Sequence, residues 1–395
     1  MRIKFLKTGD NEGYKNVLLL WTVVACVVVA LLTGLSIYFY DVSPKNVEIT
    51  DSLIPRKEYQ AIYLLPKEKH ADDKYRLNDF LEVTSRLGIK AYAVDEISNN
   101  EECMDLIREY ISRDVSIIVS PSPALNECIN TAVKKYDNTK NVYFVSAYDR
   151  NLEKSDKLIT FKVHQYQVYY LSGIIAATVN TETSENFFVV SELNEDAYRN
   201  INAFTLGVRK YKKNGIVKVI VLKSKNENIQ YSQLIEAQKR NPDARIMTAD
   251  YTDITVDDFC EQKMYYCIRY DKDFANKYFL SNIASVQVDY RGFFSRVLSR
   301  TVTNSFESGN YLLDVSTGTV RITNFNEGII PPNTMQLLDL ALYRFMIANN
   351  DNIFSGPLYD NEHRLRLDKG YSLQDEPNDI FSMDWFVEGA VLEHL

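Results

Sequence analysis

Short apolar segments alternate with helical segments through residues 61–146, and this alternation constrains the fold more than any other feature of the sequence. Mainly apolar runs occur at 61–65, 90–94, 115–119 and 142–146, and apolar residues at helical spacing occupy 75–87, 101–113 and 124–136. Strands that are apolar on both faces and alternate with amphipathic helices are typical of a parallel sheet covered on both sides. The pattern therefore predicts a βαβαβαβ unit.

A second unit of the same kind follows the first. Helical segments at 167–180, 198–212 and 231–240 alternate with apolar runs at 187–190, 217–222 and 245–248. Two successive units of this kind predict an α/β protein with two doubly wound, parallel-sheet lobes. Apolar residues at helical spacing predict two further helices at 288–305 and 334–349.

An uncharged run at 17–40 precedes both units. Its 24 residues would span about 36 Å as a helix, enough for the roughly 30 Å hydrocarbon core of a membrane. Four basic residues come before the run, namely Arg2, Lys4, Lys7 and Lys15. The positive-inside rule then predicts a single-pass plasma-membrane protein. Residues 1–16 would be cytoplasmic, 17–40 the transmembrane anchor and 41–57 a tether, and the bulk of the chain would be extracellular.

The cysteines leave two alternatives open. The sequence VVAC at 23–26 resembles a lipoprotein cleavage box, but 14 uncharged residues follow Cys26, so an uncleaved anchor is favoured over a lipidated cysteine. The other four cysteines, Cys103, Cys128, Cys260 and Cys267, show no CxxC pair and no common zinc spacing. Buried thiols are the expectation for these four, with one disulfide among them left open.

Charge and motifs argue against several classes of function. The formal net charge of −8 gives no sign of the basic surface that nucleic-acid binding needs. The four histidines are scattered along the chain, so no metal site is predicted. The sequence holds no glycine-rich phosphate loop, nucleophile elbow or zinc-protease motif. We therefore predict neither an enzyme nor a cofactor.

Three motifs indicate a family. They are YLSGIIAA at 170–177, INAFTLGV at 201–208, and a tail with GPLYDN at 356–361 and MDWFVEG at 383–389. In sequence and in order they resemble the basic membrane proteins, which are nucleoside-type substrate-binding proteins of ABC importers and include a purine nucleoside receptor. In the tail, we predict that Trp385 and Phe386 pack against a lobe and do not contact a ligand.

The resemblance implies a type I periplasmic-binding fold, in which a hinge of crossover strands joins two α/β lobes and a ligand lies in the cleft. We expect the N-lobe at 58–162 and the C-lobe at 163–281, with 282–395 completing both lobes and forming the tail. The resemblance also implies a small-molecule ligand, a nucleoside or a related compound, and an ABC permease as the membrane partner.

The pocket that the resemblance implies is only partly present. After the first strand the family has an acid and an aromatic residue, for which Asp73 and Tyr75 could substitute. The family's third strand runs into a glycine-rich loop and its fourth strand ends in an acid, but serines stand at both places here. The candidate ligand-binding residues are Asp73, Tyr75, Ser120, Ser122, Ser146, Asn200, Arg269, Asp271 and Gln287.

A nucleoside requires an aromatic face and partners for its ribose hydroxyls. Since most of these groups are replaced, we expect tight nucleoside binding to be lost. The first hypothesis is an extracytoplasmic solute-binding protein of the nucleoside type with a diverged pocket. The second is a sensor or interaction protein that keeps the fold without a ligand and regulates a membrane partner.

Overall fold

Two largely parallel β-sheets dominate the part of the chain that the computed structural model describes. This part is residues 58–395 without 69–72, 140, 150–151, 153, 180–184, 223, 225, 252–253, 271–279, 348–351 and 374–381. Residues 58–395 form one compact unit. The predicted cytoplasmic tail, anchor and tether lie outside the described residues. Within the described residues, no helix combines the length and the apolar character needed to cross a membrane.

The first sheet contains six strands in the order β11-β5-β4-β3-β1-β2. They are β1 (Gln60–Pro66), β2 (Lys90–Ile97), β3 (Ile117–Ser120), β4 (Tyr143–Ala147), β5 (Leu158–Val163) and β11 (Gly309–Leu313). All five pairings are parallel. Residues 61–65 of β1 are at most 3% exposed, because helices cover both faces of this central strand, as its continuous apolar run predicts.

The second sheet contains seven strands in the order β12-β10-β9-β8-β6-β7-β15. They are β6 (Glu185–Val190), β7 (Ile216–Val221), β8 (Ile246–Ala249), β9 (Tyr266–Tyr270), β10 (Asn282–Val288), β12 (Val320–Thr323) and β15 (Ala390–Leu392). Only the pairing of β10 with β12 is antiparallel among these strands. A separate hairpin joins β13 (Leu358–Tyr359) to β14 (Leu365–Leu367).

Nine α-helices accompany these strands within the described residues. They are α1 (Asp73–Leu87), α2 (Asn100–Ser112), α3 (Asn126–Tyr136), α4 (Tyr166–Val179), α5 (Glu195–Tyr211), α6 (Glu227–Arg240), α7 (Ile254–Lys263), α8 (Arg291–Val302) and α9 (Pro332–Met346). Helices α1 and α8 pack on one face of the first sheet, and α2 and α3 pack on its other face. Helices α4 and α5 pack on one face of the second sheet, and α6 and α7 pack on its other face. The predicted α/β architecture with parallel sheets is confirmed and is consistent with a type I periplasmic-binding fold.

The lobe boundaries predicted at 58–162 and 163–281 stay predictions. Three connections run between the two sheets: β5 to α4, β10 to α8, and β11 to β12. The backbone N–H of His164 donates to the carbonyl of Leu313 at 2.8 Å, and that of Asp289 donates to Thr319 at 2.7 Å. These bonds place the three connections side by side, and we call them the hinge.

The predicted helix at 288–305 is wrong at its beginning. Strand β10 continues to Val288, and α8 begins only at Arg291 and ends at Val302. Tyr290 is the N-cap residue. The strand ends in apolar residues that continue the helical spacing of α8, so the periodicity does not reveal the boundary between them.

Four cysteines are paired in disulfides, so the expectation of buried thiols is wrong for them. Cys103 of α2 is bonded to Cys128 of α3 with a Cα–Cα distance of 6.2 Å. Cys260 of α7 is bonded to Cys267 of β9 with a Cα–Cα distance of 6.3 Å. Both pairs are buried. The fold places each pair within bonding distance, which the spacing along the sequence does not indicate.

Candidate ligand site

The carboxyl end of the first sheet carries two of the predicted serines. Ser120 ends β3 and is paired in register with Ser146 of β4, so their side chains lie on the same face. Ser146 Oγ donates to Oδ1 of Asn126, at the start of α3, at 3.0 Å. All three residues are buried. Ser120 Oγ and Asn126 Nδ2 have no hydrogen-bond partner among the described residues. Asn126 could not be identified as a neighbour of these serines from the sequence, because its hydrogen bond to Ser146 depends on the contact between α3 and β4.

The start of α1 lies at the same end of the first sheet. Asp73 is buried at the first position of the helix, where a carboxylate suits the helix dipole, and lies 3.8 Å from Arg76. The Arg76 guanidinium donates to the carbonyl of Pro121 at 2.9 Å and lies 5.1 Å from the ring centre of Tyr290. Tyr75 is half-buried. Arg76 and Tyr290 lie beside these predicted residues, and neither was among the candidates from the sequence.

Buried polar side chains also surround the hinge. His164 is 5% exposed, and burial, together with the positive charges of Arg199 and Lys162, lowers its pKa to about 3. His164 is therefore neutral at pH 7. Burial also lowers the pKa of Arg199 to about 10, against the opposing effects of Glu195 and Tyr166, so Arg199 keeps its charge. It forms an ion pair with Asp196.

A small cavity lies at the carboxyl ends of β8 and β9. Ala249 and Tyr251, Asp257 of α7, and Arg269 and Tyr270 of β9 contribute to its lining. Arg269 Nε lies 2.9 Å from Asp257 Oδ1, and both side chains are less than a tenth exposed. The cavity leaves about 10 Å³ for a water-sized ligand, which is room for about one water molecule. It therefore combines a buried ion pair with two tyrosines.

The cavity adjoins the hinge. The side chain of Gln165, in the connection from β5 to α4, donates to the hydroxyl of Tyr270 at 3.2 Å. The hydroxyl of Tyr169 donates to the carbonyl of Ala249 at 3.1 Å. The crossover from β5 to α4 therefore contacts the lining of the cavity directly. Arg269 can donate and Asp257 can accept hydrogen bonds, and the tyrosines offer apolar surface, so these groups suit a small polar molecule.

The predicted site residues fall into separate groups. Asp73, Tyr75, Ser120, Ser122 and Ser146 lie at the carboxyl end of the first sheet, whereas Arg269 lies at that of the second. Asn200 is buried in α5, and Gln287 is paired with Arg321 in the β10–β12 ladder. Asp271 lies outside the described residues. Their roles in ligand binding stay predictions. In the described part of the chain, no three His, Cys, Asp or Glu side chains are grouped to hold a metal ion.

The first two sequence motifs form a close helix crossing. A Cβ atom on Gly173 of α4 would lie 2.1 Å from the carbonyl oxygen of Phe204, and one on Gly207 of α5 would lie 2.2 Å from that of Tyr170. Only glycine allows the two backbones to approach this closely. The glycines of YLSGIIAA and INAFTLGV are thus explained by packing.

The third motif is attached to the second through Asn202. This buried amide donates to the carbonyl of Trp385 at 2.8 Å and accepts from the backbone N–H of Val387 at 2.9 Å. Phe386 is 7% exposed and its ring lies 4.9 Å from that of Tyr198. The prediction that Trp385 and Phe386 pack the tail against a lobe is confirmed.

Asp360 organises the GPLYDN segment. Its carboxylate accepts from Arg364 Nε at 2.9 Å and from Arg366 Nε at 2.8 Å, and from the backbone N–H groups of Glu362 and Arg364. Burial favours the protonated acid, but these hydrogen bonds prevail and hold the pKa of Asp360 well below its ordinary value. Arg366 also lies 5.3 Å from the ring centre of Trp385, which joins the two parts of the tail motif.

A family model described as "Bmp: ABC transporter substrate-binding protein PnrA-like" matches residues 77–337. The match includes the first two motifs, and the tail motif lies beyond it. A comparison with the curated proteins finds no match.

Solved structures share the fold at low sequence identity. A transcriptional activator of the comK gene from Bacillus halodurans is 16% identical with a TM-score of 0.64, over 74% of this chain and 99% of that one. A solute-binding protein of an ABC transporter system from Conexibacter woesei is 12% identical with a TM-score of 0.60, over 73% of this chain and 96% of that one. A solute-binding protein of an ABC transporter system from Aeropyrum pernix is also 12% identical with a TM-score of 0.60, over 74% of this chain and 92% of that one.

Proposed function

The chain belongs to the family of PnrA-like substrate-binding proteins of ABC transporters, and from this premise we propose that it is a membrane-anchored, extracytoplasmic solute-binding protein without catalytic activity. It holds a small polar ligand between its lobes and presents it to an ABC permease. Membership of the family supports the permease as the partner. Hinge closure around the ligand is the mechanism.

The observation that carries this proposal is the cavity with the Arg269–Asp257 pair. A buried ion pair contributes little net stability compared with apolar residues of similar size, so packing alone gives little reason for it. A few convergent polar groups that line a cavity are a candidate binding site. When a polar ligand binds, the guanidinium of Arg269 and the carboxylate of Asp257 can replace their contact with each other by hydrogen bonds to the ligand.

The ligand in this proposal is related to a nucleoside but bound by a changed pocket. The cavity tyrosines, Tyr251 and Tyr270, offer aromatic surface. However, the buried serines Ser120 and Ser146 stand where the family has a glycine-rich loop and a carboxylate. Adenosine, guanosine and inosine should therefore bind weakly, because buried polar groups without partners cost about 1–3 kcal/mol each.

Disulfides support the proposed location outside the cytoplasm. Cys103–Cys128 and Cys260–Cys267 are formed in the described chain, and structural disulfides form and persist mainly in oxidising compartments. The uncharged run at 17–40 and the basic residues before it support the same orientation, with the N-terminus in the cytoplasm.

Titration calorimetry on the full-length protein in detergent tests the function. The panel contains the three nucleosides and related polar compounds such as pentoses, nucleobases and amino acids. We expect saturable binding of at least one compound, and loss of that binding in Arg269→Gln. Arg296→Gln, an exposed change on α8, is the matched control. Micromolar binding of the nucleosides would contradict the changed pocket, and no binding by any compound would contradict solute binding.

A second candidate is a ligand-free sensor or interaction protein that regulates a membrane partner. The small size of the cavity favours it, since about 10 Å³ holds only about one water. One structural neighbour is described as a transcriptional activator. Crosslinking in membranes separates the two candidates: a solute-binding protein should be captured with an ABC permease, and a sensor with a different membrane protein.

A further inference from the structure

A chain of ion pairs runs along the hinge, outside the ligand cavity. Its centre is Asp289, which lies between the end of β10 and the start of α8. The Asp289 carboxylate accepts from Arg291 Nε at 2.9 Å and from Arg291 Nη2 at 2.6 Å, and also from the backbone N–H of Arg291 at 3.0 Å. These three bonds restrict the backbone of the residue between them, Tyr290, at the point where the chain passes between the sheets.

The two ends of the ion-pair chain lie on different sheets. Arg291 lies 3.8 Å from Asp79 and 3.6 Å from Glu82, both on α1, which packs on the first sheet. On the other side, Asp289 forms an ion pair with Arg321 of β12, which belongs to the second sheet. The charged groups therefore connect α1 to β12 through Asp289 and Arg291.

Backbone contacts strengthen this connection. Asp79 Oδ2 accepts from the backbone N–H of Tyr290 at 2.9 Å, so α1 holds the crossover itself. The Asp289 N–H donates to the carbonyl of Thr319 in the neighbouring crossover at 2.7 Å. Asp79 and Asp289 are largely buried, with side chains 4% and 11% exposed, so solvent screens these charges less than it screens a fully exposed pair.

We propose that Asp289 is a positioning residue that sets the angle between the two lobes. Domain closure is accommodated by torsion changes at a few hinge residues, and the bonds between Asp289 and Arg291 restrain those torsions at one of the three crossovers. Rotation of the second sheet against α1 must weaken at least one link in the chain. The inference takes hinge closure from the proposed function, but its test needs no ligand.

Distance measurement between two spin labels tests the proposal. Labels at Ser112→Cys on α2 and Lys239→Cys on α6, both exposed positions, report the separation of the lobes in the full-length protein with Cys26→Ser. Asp289→Asn keeps the shape of the side chain and removes its charge. We expect a narrow distance distribution without this change. With it, we expect a broader one, with about a fivefold higher population of alternative lobe separations, which is the change that a loss of about 1 kcal/mol produces.

Two further variants complete the design. Arg321→Gln removes the link to the second sheet from a half-exposed position, and should broaden the distribution in the same direction even if Asp289→Asn fails to fold. Arg300→Gln is the control. Arg300 is on α8, as Arg291 is, and the change removes its exposed ion pair with Glu307, so the distance distribution should stay unchanged.

Identical distance distributions for the unsubstituted protein and Arg321→Gln would overturn the inference. Equal broadening in Arg300→Gln would also overturn it, because the effect would then not be specific to the hinge. Neither result would bear on solute binding, which the calorimetric panel tests separately. Conversely, a protein that binds no solute can still show the hinge effect.

Discussion

Removal of the disulfide between Cys103 and Cys128 should destabilise the protein by an amount set by the loop that it closes. The two cysteines are 25 residues apart and join α2 to α3. The chain-entropy relation for a loop of this length gives about 3.5 kcal/mol at 25 °C. Cys103→Ala combined with Cys128→Ala should lower the free energy of unfolding by about this amount, because the denatured chain gains the freedom that the crosslink removes.

The second disulfide supplies an internal comparison. Cys260 and Cys267 are only seven residues apart, and the same relation gives about 2.4 kcal/mol. The paired alanine variant at these positions should therefore be destabilised by about 1 kcal/mol less. Both pairs are buried, so the loss of apolar contacts is similar in the two variants.

Urea unfolding of the oxidised full-length protein in detergent, followed by circular dichroism, measures these differences. The linear extrapolation gives the free energy of unfolding from the midpoint and slope. A loss below about 1 kcal/mol for the Cys103 and Cys128 variant would refute the loop argument. Labelling of Cys103 and Cys128 by a maleimide in unreduced, unfolded protein would refute the crosslink itself and remove its support for an extracytoplasmic location.

Three other substitutions test the packing and the electrostatics. Gly207→Ala should lower the melting temperature by several degrees, because its methyl group would meet the carbonyl of Tyr170 and over-packing costs about 1–3 kcal/mol; unchanged melting would contradict the close crossing. Asn202→Leu should cost about 2–4 kcal/mol in urea unfolding, since it leaves buried backbone groups of the tail unpaired; a cost below 1 kcal/mol would show that the tail is held elsewhere. The depressed pKa of His164, about 3, means that the unfolded state binds more protons between about pH 6.5 and 3. Stability should therefore fall as the pH decreases through this window, and His164→Gln should flatten the profile; equal slopes would contradict a buried neutral histidine.

Much of the fold could be predicted from the sequence because both lobes repeat one simple pattern. The central strands are apolar on both faces, so each predicted strand of the first unit overlaps an observed one, as at 61–65 in β1. The side chain of Asn99 caps α2 by accepting from the backbone N–H of Glu102 at 2.9 Å, and asparagine is among the residues that favour this position.

The strands that complete the sheets were harder to recognise. β5, β9, β10, β11, β12 and β15 were not among the predicted strands, and the last residue of β10, Val288, was assigned to the helix after it. β11 and β12 form sheet edges, so they carry less of the continuous apolar pattern that marks a central strand; Gly309 to Leu312 of β11 are not buried. β11 also pairs with a segment far away in the chain, since Gly309 is opposite Ile159 of β5.

The candidate site residues were predicted one at a time, and the contacts between their side chains and other residues were not predicted. Arg269 was among the candidate residues, but its partner Asp257 was not. The two lie on β9 and α7, and only the fold brings them to 2.9 Å. Gln165 carried no signal in the sequence, because its contact with Tyr270 depends on the position of the crossover.

Native mass spectrometry of the full-length protein, released from membranes in a mild detergent, tests the central claim of solute binding most directly. We predict a one-to-one complex with a small polar molecule, absent from Arg269→Gln and from the charge-balanced variant Arg269→Gln with Asp257→Asn, and retained in Arg296→Gln. The measurement is made under conditions that preserve the fold and with the same polar compounds added. If every sample then shows only the mass of the protein without a bound molecule, the claim is contradicted.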